Sequence, residues 1–218
     1  MHVGILGGTG PAGGALAARL SAVGVEVVIG SRSADRAREA CDRIRQRWPE
    51  RQLQLSDAEN LQAAEAALVV VATPWDAAAP TAASVAAALE GKVVVSMANA
   101  LVRMGEEFQA LVPARGSIAA GVEAAVPGAL VAAAFHHLPA RVLGDLDADL
   151  DADVLVCSDH PRALEETADL VRKIPGLRPV DAGRLASAAP IEAFTAVLLQ
   201  VNVRYKARAT VRLRGLDA

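Results

Sequence analysis

Three glycines, Gly8, Gly10 and Gly13, constrain this chain more than any other feature. They interrupt an apolar run, Val3-Gly4-Ile5-Leu6-Gly7, and lead into the helical pattern Ala15-Leu16-Ala17-Ala18-Arg19-Leu20. The order reads as strand, tight turn, helix, and the glycines stand at the G-x-G-x-x-G spacing, where each has a separate job. The first permits the turn. The second lets backbone approach a pyrophosphate with no Cβ in the way, and the third allows the helix to pack closely on the strand. The helix then turns its free N–H groups and the positive end of its dipole towards an anion. Pro11 suits that end, because a first-turn N–H has no intrahelical partner to lose. An ordinary strand-to-helix turn carries the same spacing, so the next strand must discriminate.

That strand is Val25-Glu26-Val27-Val28-Ile29, and it ends in Gly30-Ser31-Arg32, near the offset where the adenosine ribose of a bound dinucleotide lies. A free 2′-hydroxyl is usually met there by Asp or Glu. Here Ser31 and Arg32 stand instead, with Arg36 one helical turn on, which suits a 2′-phosphate: a hydroxyl donor and guanidinium forks for a dianion. NADP(H) is therefore expected over NAD(H). The competing reading is an arginine merely solvated at a strand end.

Composition narrows the class. The 218 residues leave room for one large domain or one of ordinary size with an appendage. Hydrophobic residues make up 53% but aromatics only 3%, so the core must be built from Ala, Val and Leu. A net charge of -3 argues against a nucleic-acid partner. No apolar run reaches the roughly 18 residues that span a bilayer, and Met1-His2-Val3 leads directly into a strand, so neither a membrane partner nor a signal peptide is expected and a cytoplasmic location is. Cys41 and Cys157 form neither a C-x-x-C pair nor a cluster, and both read as reduced and structural.

Along the chain, a charged helix is expected from Ala34 to Trp48, a short strand at Leu53-Gln54-Leu55 and a helix from Ala58 to Ala66. Leu68-Val69-Val70-Val71-Ala72 reads as a strand buried on both faces, breaking at Thr73-Pro74-Trp75 on the ligand edge of the sheet. A helix of small residues from about Ala79 to Leu89 precedes the strand Val93-Val94-Val95-Ser96. The loop Met97-Ala98-Asn99-Ala100 lies again at the ligand edge. Helical character is expected around Gly105 to Leu111 and Gly121 to Ala125, then a strand Leu130 to Phe135 ending in His136-His137-Leu138-Pro139. The alternation implies right-handed crossovers and a parallel sheet.

Beyond Pro139 the composition shifts. Asp145, Asp147, Asp149, Asp151 and Asp153 alternate with small or apolar residues, but an EF-hand loop would need glycine and glutamate where Leu150 and Val156 stand. A solvated lead-in to the strand Val154-Leu155-Val156-Cys157 fits better than a metal site, and no metal is expected. A helix from Arg162 to Lys173, an edge strand over Leu177 to Gly183 with Pro179 tolerated there, and an apolar helix from Ile191 to Asn202 follow. The last helix is apolar over more than one stripe, as expected if it packs on its own domain and on a second subunit, giving a homodimer. The tail carries Arg204, Lys206, Arg208, Arg212 and Arg214, either as a solvated or dimer-edge surface or as an attractor for an acidic ligand. The expected architecture is a Rossmann-type doubly wound, mostly parallel α/β sheet: a nucleotide-binding domain over residues 1–139 and a small C-terminal α/β appendage over 140–218.

Taken together, Gly7-Gly8-Thr9-Gly10, Gly30-Ser31-Arg32, Thr73-Pro74-Trp75, His136-His137-Leu138-Pro139, Asp153-Val154-Leu155-Val156-Cys157 and Gly176-Leu177-Arg178-Pro179-Val180-Asp181-Ala182-Gly183 resemble the deazaflavin-dependent NADP reductases over essentially the whole chain. Members of that family pass a hydride between NADP(H) and coenzyme F420, a 5-deazaflavin bearing an acidic phosphate and glutamate side chain. The resemblance implies that Gly8, Thr9, Gly10, Pro11 and Ala12 lie at the pyrophosphate, and Ser31, Arg32 and Arg36 around the 2′-phosphate. It implies Thr73, Pro74 and Trp75 along the nicotinamide, and Ala98 with His136, His137 and Leu138 near the deazaflavin ring, at the junction of the two domains. Two departures stand out: Arg36 occupies a position where lysine is common, and the loop 97–100 differs among relatives.

Hydride transfer between two cofactors asks mainly that the rings be stacked and water excluded, so no acid–base dyad is demanded and no catalytic side chain is assigned. His136 or His137 either polarises the deazaflavin or packs and offers backbone. Two rival functions share the N-terminal half: an NADPH-dependent reductase of a small imine or ketone, for which the segment after Pro139 is small, and a non-catalytic NADPH-binding redox sensor.

Overall fold

The structure, a computed structural model, is described for residues 1–216. Its core is a single eight-stranded sheet in the order β10-β9-β8-β5-β4-β1-β2-β3. The first half runs β1 (His2–Leu6), α1 (Pro11–Ala22), β2 (Glu26–Ser31), α2 (Ala34–Arg47), β3 (Leu55–Glu59), α3 (Asn60–Ala63), β4 (Leu68–Val71), α4 (Trp75–Ala83), α5 (Ala86–Leu89) and β5 (Val93–Ser96). A two-stranded hairpin follows, β6 (Leu101–Met104) and β7 (Glu107–Ala110). The chain then continues through α6 (Ile118–Ala125), β8 (Leu130–Ala133), α7 (Ala140–Leu143), β9 (Ala152–Ser158), α8 (Pro161–Arg172), β10 (Leu177–Asp181) and α9 (Ala188–Tyr205). Within the eight-stranded sheet the pairings are parallel except β8 with β9, where Ala132 faces Ser158 and Ala133 faces Cys157.

The apolar strands explain the layering. In β4, Leu68 and Val70 enter one core with Leu16, Leu20, Val154 and Leu170, while Val69 and Val71 enter the other with Ala78, Ala82, Ile118 and Val122. Strand period two applied to a continuous Leu-Val-Val-Val run thus requires cover on both faces, and helices supply it. Small residues make those layers thin. Gly4 shows how tight they are, since a Cβ there would lie 1.9 Å from the Ala63 carbonyl oxygen.

Four expected elements differ. The helix around Gly105 to Leu111 is instead the β6–β7 hairpin, with Met104 paired to Glu107 and Arg103 to Phe108. Gly105 at φ +63 with Glu106 forms a two-residue turn that favours strands over a helix. The helix of small residues starts earlier, at Trp75, and breaks at Val85 (φ −125) into α4 and α5. β3 begins at Leu55 rather than ending there, and the helix after it is a single turn. The edge position of β10, and with it Pro179, agrees with the expectation.

Past Pro139 the chain does not leave the sheet; β9 and β10 extend it. The aspartate run is an arginine-pairing strip: Asp145 meets Arg208 at 3.4 Å, Asp147 meets Arg51 at 2.9 Å and Asp151 meets Arg212 at 3.4 Å. These exposed pairs contribute little individually. Asp153 is different, because its side chain is fully buried and accepts from both arms of Arg178 at 2.8 Å, from Arg212 at 3.0 Å and from the Leu213 amide at 2.6 Å. Its amide also donates to the Val211 carbonyl at 2.7 Å. The basic tail is therefore tied down over the part of β9 that β8 does not reach.

α9 is long and apolar enough to cross a membrane by length and composition, yet it holds a buried carboxylate. Glu192 accepts from the amides of Ile118 (2.8 Å) and Ala119 (3.1 Å) at the start of α6, and burial pushes its carboxyl up to about 7. A pKa raised on folding adds stability that is complete below the unfolded value and is lost as pH rises through about 7. Across pH 5 to pH 8 this group's contribution to urea-measured stability is thus expected to fall by up to about 3 kcal/mol, seen as wild type losing that much relative to Glu192→Gln over the range. A wild-type slope retained in the variant would contradict the assignment.

Candidate functional site

The strand order reverses between β1 and β4, and in doubly wound sheets that is where a crevice opens beyond the carboxyl ends of the strands. A cleft of about 750 Å³ lies there. Its floor is the turn after β1, where Gly7 (φ +75) donates to the Gly30 carbonyl at 3.1 Å. A Cβ on Gly7 would come within 2.5 Å of Thr73 Cγ2, so close approach as well as backbone conformation requires glycine. Gly13 likewise would press on Ala72 and Gly8 at 2.9 Å, which is the helix–strand contact foreseen for the third glycine. Gly10 caps α1 without a side-chain bond, and Pro11 takes the first helical position.

Of the residues singled out in the sequence, Thr9, Gly10, Pro11, Ala12, Ser31, Arg32, Arg36, Thr73 and Pro74 line this one cleft. Gly8 lies in the same turn but faces a neighbouring groove. The others are elsewhere. Trp75 opens α4 and is half-exposed, and Ala98 is buried in the loop after β5. Leu138 borders a small void with Thr210 of the tail. His136 and His137 are buried.

The histidine segment is held by its backbone. Asn99 Nδ2 donates to the His136 carbonyl at 2.7 Å, and Thr195 of α9 reaches Asn99 Oδ1 at 3.3 Å. The Nε2 of His137 lies 2.9 Å from the Asp153 carbonyl oxygen, in the stretch of β9 that β8 does not pair. Neither ring nitrogen of His136 has a hydrogen-bond partner among the described residues. Burial, with His137 alongside, pushes its imidazole down to about 3, and burial also lowers that of His137, so both rings are neutral near pH 7. Phe135 precedes them at φ +64, a conformation costly for a bulky side chain. Strain and an unpaired imidazole thus meet at the end of β8, beside the crevice.

Residues that the sequence did not single out also line the cleft, among them Asn60, Ala77, Thr81, Ser84 and Ala140. Asn60 Oδ1 and Thr73 Oγ1 are buried without a partner among the described residues. Ser31 Oγ accepts from the Ser33 amide at 3.4 Å and keeps its proton to donate. Among the described residues Arg32 and Arg36 form no ion pair, so both guanidiniums are available to an anion. Volume, unpaired polar atoms and available cations fit a phosphorylated dinucleotide. The second glycine supplies a test. Gly10 sits at φ −78, and a Cβ there would meet only the Gly7 carbonyl oxygen at 3.6 Å, so Gly10→Ala should fold normally. Its thermal midpoint is expected within about 2 °C of wild type, while the NADPH dissociation constant rises at least about tenfold, because the methyl fills the pyrophosphate approach. Unchanged affinity in calorimetric titration would overturn that placement.

A doubly wound sheet, a glycine turn into an uncapped helix and a cleft at the switch point define the class: a dinucleotide-binding α/β protein. Residues 2–100 match the family model described as NADP oxidoreductase, coenzyme F420-dependent. The chain is 34% identical over 223 residues to the F420-dependent NADP reductase of Methanocaldococcus jannaschii, covering 100% of both proteins. It is 35% identical to that of Methanothermobacter marburgensis, covering 99% of both. A crystal structure from Arthrobacter sp. FB24, provisionally assigned as an F420-dependent NADP reductase, shares the fold with a TM-score of 0.81 over 97% of this chain and 99% of that one, at 24% identity. The chain belongs to the F420-dependent NADP reductase family.

Proposed function

We propose that this protein transfers a hydride between NADP(H) and coenzyme F420. The observation that carries the reading is the convergence of Ser31, Arg32, Arg36, the glycine turn and Thr73-Pro74 on one cleft, in a chain related over its full length to reductases of that name. In it, Gly10, Pro11 and Ala12 receive the pyrophosphate, and Ser31 donates to the 2′-phosphate between the two guanidiniums. Thr73 and Pro74 border the nicotinamide, and the deazaflavin enters at the junction with residues 140–218, over Ala140 and the His136–Leu138 segment. When both are bound, the two cofactors supply the hydride donor and acceptor carbons. The protein contributes alignment and exclusion of water, without a catalytic acid or base. The buried, neutral histidines favour their packing role, with the His136 carbonyl already committed to Asn99.

The second subunit is part of the same reading. α9 buries Ala188, Ile191, Glu192, Thr195 and Ala196, and leaves Phe194, Val197, Val203 and Tyr205 exposed on its other side. A homodimer in the cytoplasm covers that face, and light scattering is expected to give twice the 22.5 kDa chain mass. The functional test mixes pure protein with NADPH and oxidised deazaflavin. Loss of deazaflavin absorbance supports the proposal; no loss, with turnover of a cyclic imine or with NADPH binding alone, supports one of the rivals.

A further inference from the structure

One face of α1 carries Pro11, Ala15 and Arg19, spaced four residues apart and so stacked along the same side of the helix. All three meet the stretch of chain that follows Pro139. Pro11 lines the nucleotide cleft together with Ala140, the first residue of α7. One turn on, Ala15 packs so closely against Gly144 that a Cβ on that glycine would lie 3.0 Å from the Ala15 Cβ. Arg19, a turn further and buried, donates from Nε to the Leu143 carbonyl at 2.9 Å. Its Nη2 donates to the Val142 carbonyl at 3.2 Å and the Ala148 carbonyl at 3.3 Å, and also reaches the Asp145 carbonyl.

The short helix α7 needs such a clamp. It is one turn of four residues with no side-chain cap, too short to hold its place by itself, and the carbonyls at its end lack helical partners. The ion pairs of the same loop, Asp147 with Arg51 and Asp145 with Arg208, are exposed and contribute little. A planar guanidinium, with donors in fixed directions, locks several carbonyls at once. Arg19 lies eight residues beyond Pro11, about 12 Å along the helix, and is absent from the cleft lining. Whatever it does at the cleft passes through α7.

We propose that Arg19 is a positioning residue: by clamping α7 to the nucleotide-binding helix it sets the spacing between the pyrophosphate turn and the cleft wall at Ala140, and with it the alignment of the two rings. The kinetic consequence rests on the hydride-transfer reading, whereas the coupling of α1 to α7 stands on the contacts above. A displacement of about 1 Å costs on the order of 10²-fold in rate, so the clamp acts on transfer more than on nucleotide affinity.

The test compares Arg19→Met, Arg19→Lys and Gly144→Ala with wild type by two readouts. The Leu143 and Gly144 amides donate to the Pro139 and Ala140 carbonyls at 3.0 and 2.9 Å. In wild type NADPH is expected to slow their hydrogen exchange about tenfold, because α1 and α7 move as one unit. In Arg19→Met that slowing should vanish at Leu143 and Gly144 yet persist at Gly14, whose amide donates to the Gly10 carbonyl at 2.8 Å in the first turn of α1. The kcat for deazaflavin reduction is expected to fall at least about tenfold in Arg19→Met and about threefold in Arg19→Lys, which keeps the charge without the fork, while the NADPH dissociation constant stays within about twofold. Gly144→Ala pushes α7 off α1 with Arg19 in place and should give the same pattern, which decides the matter if Arg19→Met fails to fold. Arg51→Ser removes only the exposed pair with Asp147 and is expected to match wild type in both readouts. The proposal is overturned if NADPH leaves the wild-type amides unslowed, if folded Arg19→Met or Gly144→Ala keeps either the wild-type exchange pattern or the wild-type kcat, if the NADPH dissociation constant rises in step with the fall in kcat, or if Arg51→Ser shows equal effects. Hydride transfer absent from wild type removes the functional reading instead, and the exchange pattern, which needs no deazaflavin, then decides the clamp alone.

Discussion

Replacing Arg32 with alanine is expected to raise the dissociation constant for NADPH by about 10- to 100-fold and to leave that for NADH nearly unchanged. Arg32 follows the last residue of β2, lines the cleft and has no ion-pair partner among the described residues, so nothing in the free protein neutralises it. A hydrogen bond to a charged group contributes about 1.5–3 kcal/mol, which sets the size of the effect. Arg32 is exposed, so the effect should shrink as salt is added, and Arg36→Ala should show a weaker version. Equal losses for the two nucleotides would mean that the guanidinium meets the pyrophosphate or adenine instead, and the preference for a phosphorylated ribose would need another source.

Asp153→Ala is expected to have the largest effect on stability. The carboxylate is buried and receives Arg178, Arg212 and the Leu213 amide, and its removal leaves those donors without their acceptor. Breaking a buried pair costs about 3–5 kcal/mol, and because both arginines keep partial access to water the low end applies, a fall in thermal midpoint of about 10 °C. The tail should be released before the sheet melts, visible as fast amide exchange at residue 153, whose N–H donates to the Val211 carbonyl, and at Leu213. The pH dependence has a definite sign. The Arg178 guanidinium holds the Asp153 carboxyl below its ordinary range, so its stabilisation is complete above the unfolded value and is lost as pH falls through the lowered one. The histidines act in the same direction, since rings kept neutral by burial favour unfolding once free imidazoles can protonate below about 6.5. An Asp153→Ala midpoint within 2 °C of wild type would contradict this account of the tail.

The nucleotide half was legible because its signals are local. Gly8 and Gly13 report close approach that the neighbouring atoms confirm, and the β-branched runs of β2, β4 and β5 have one reading at their length and burial. Gly105-Glu106 is equally local, yet the residues around it carry helical character while the pair itself forms a two-residue turn. The aspartates were harder, because their partners Arg51, Arg178, Arg208 and Arg212 lie far away in sequence and only the fold brings them close. The same holds for Asn60, which lines the cleft from the end of β3, and for the histidines. Sequence leaves the two imidazoles either polarising a ligand or packing, and only the tertiary contacts that bury them favour packing. Chemistry that depends on which way a side chain turns is decided by tertiary contacts.

The central claim is direct transfer between two stacked rings at the switch point. Its most direct measurement uses NADPH deuterated at the transferable C4 position, mixed with oxidised deazaflavin and a catalytic amount of protein in ordinary water. Deuterium carried intact to C5 of the reduced deazaflavin, with one NADPH consumed per deazaflavin bleached, is the predicted result. Bleaching with the label lost to solvent, or NADPH bound with no bleaching at all, would contradict it.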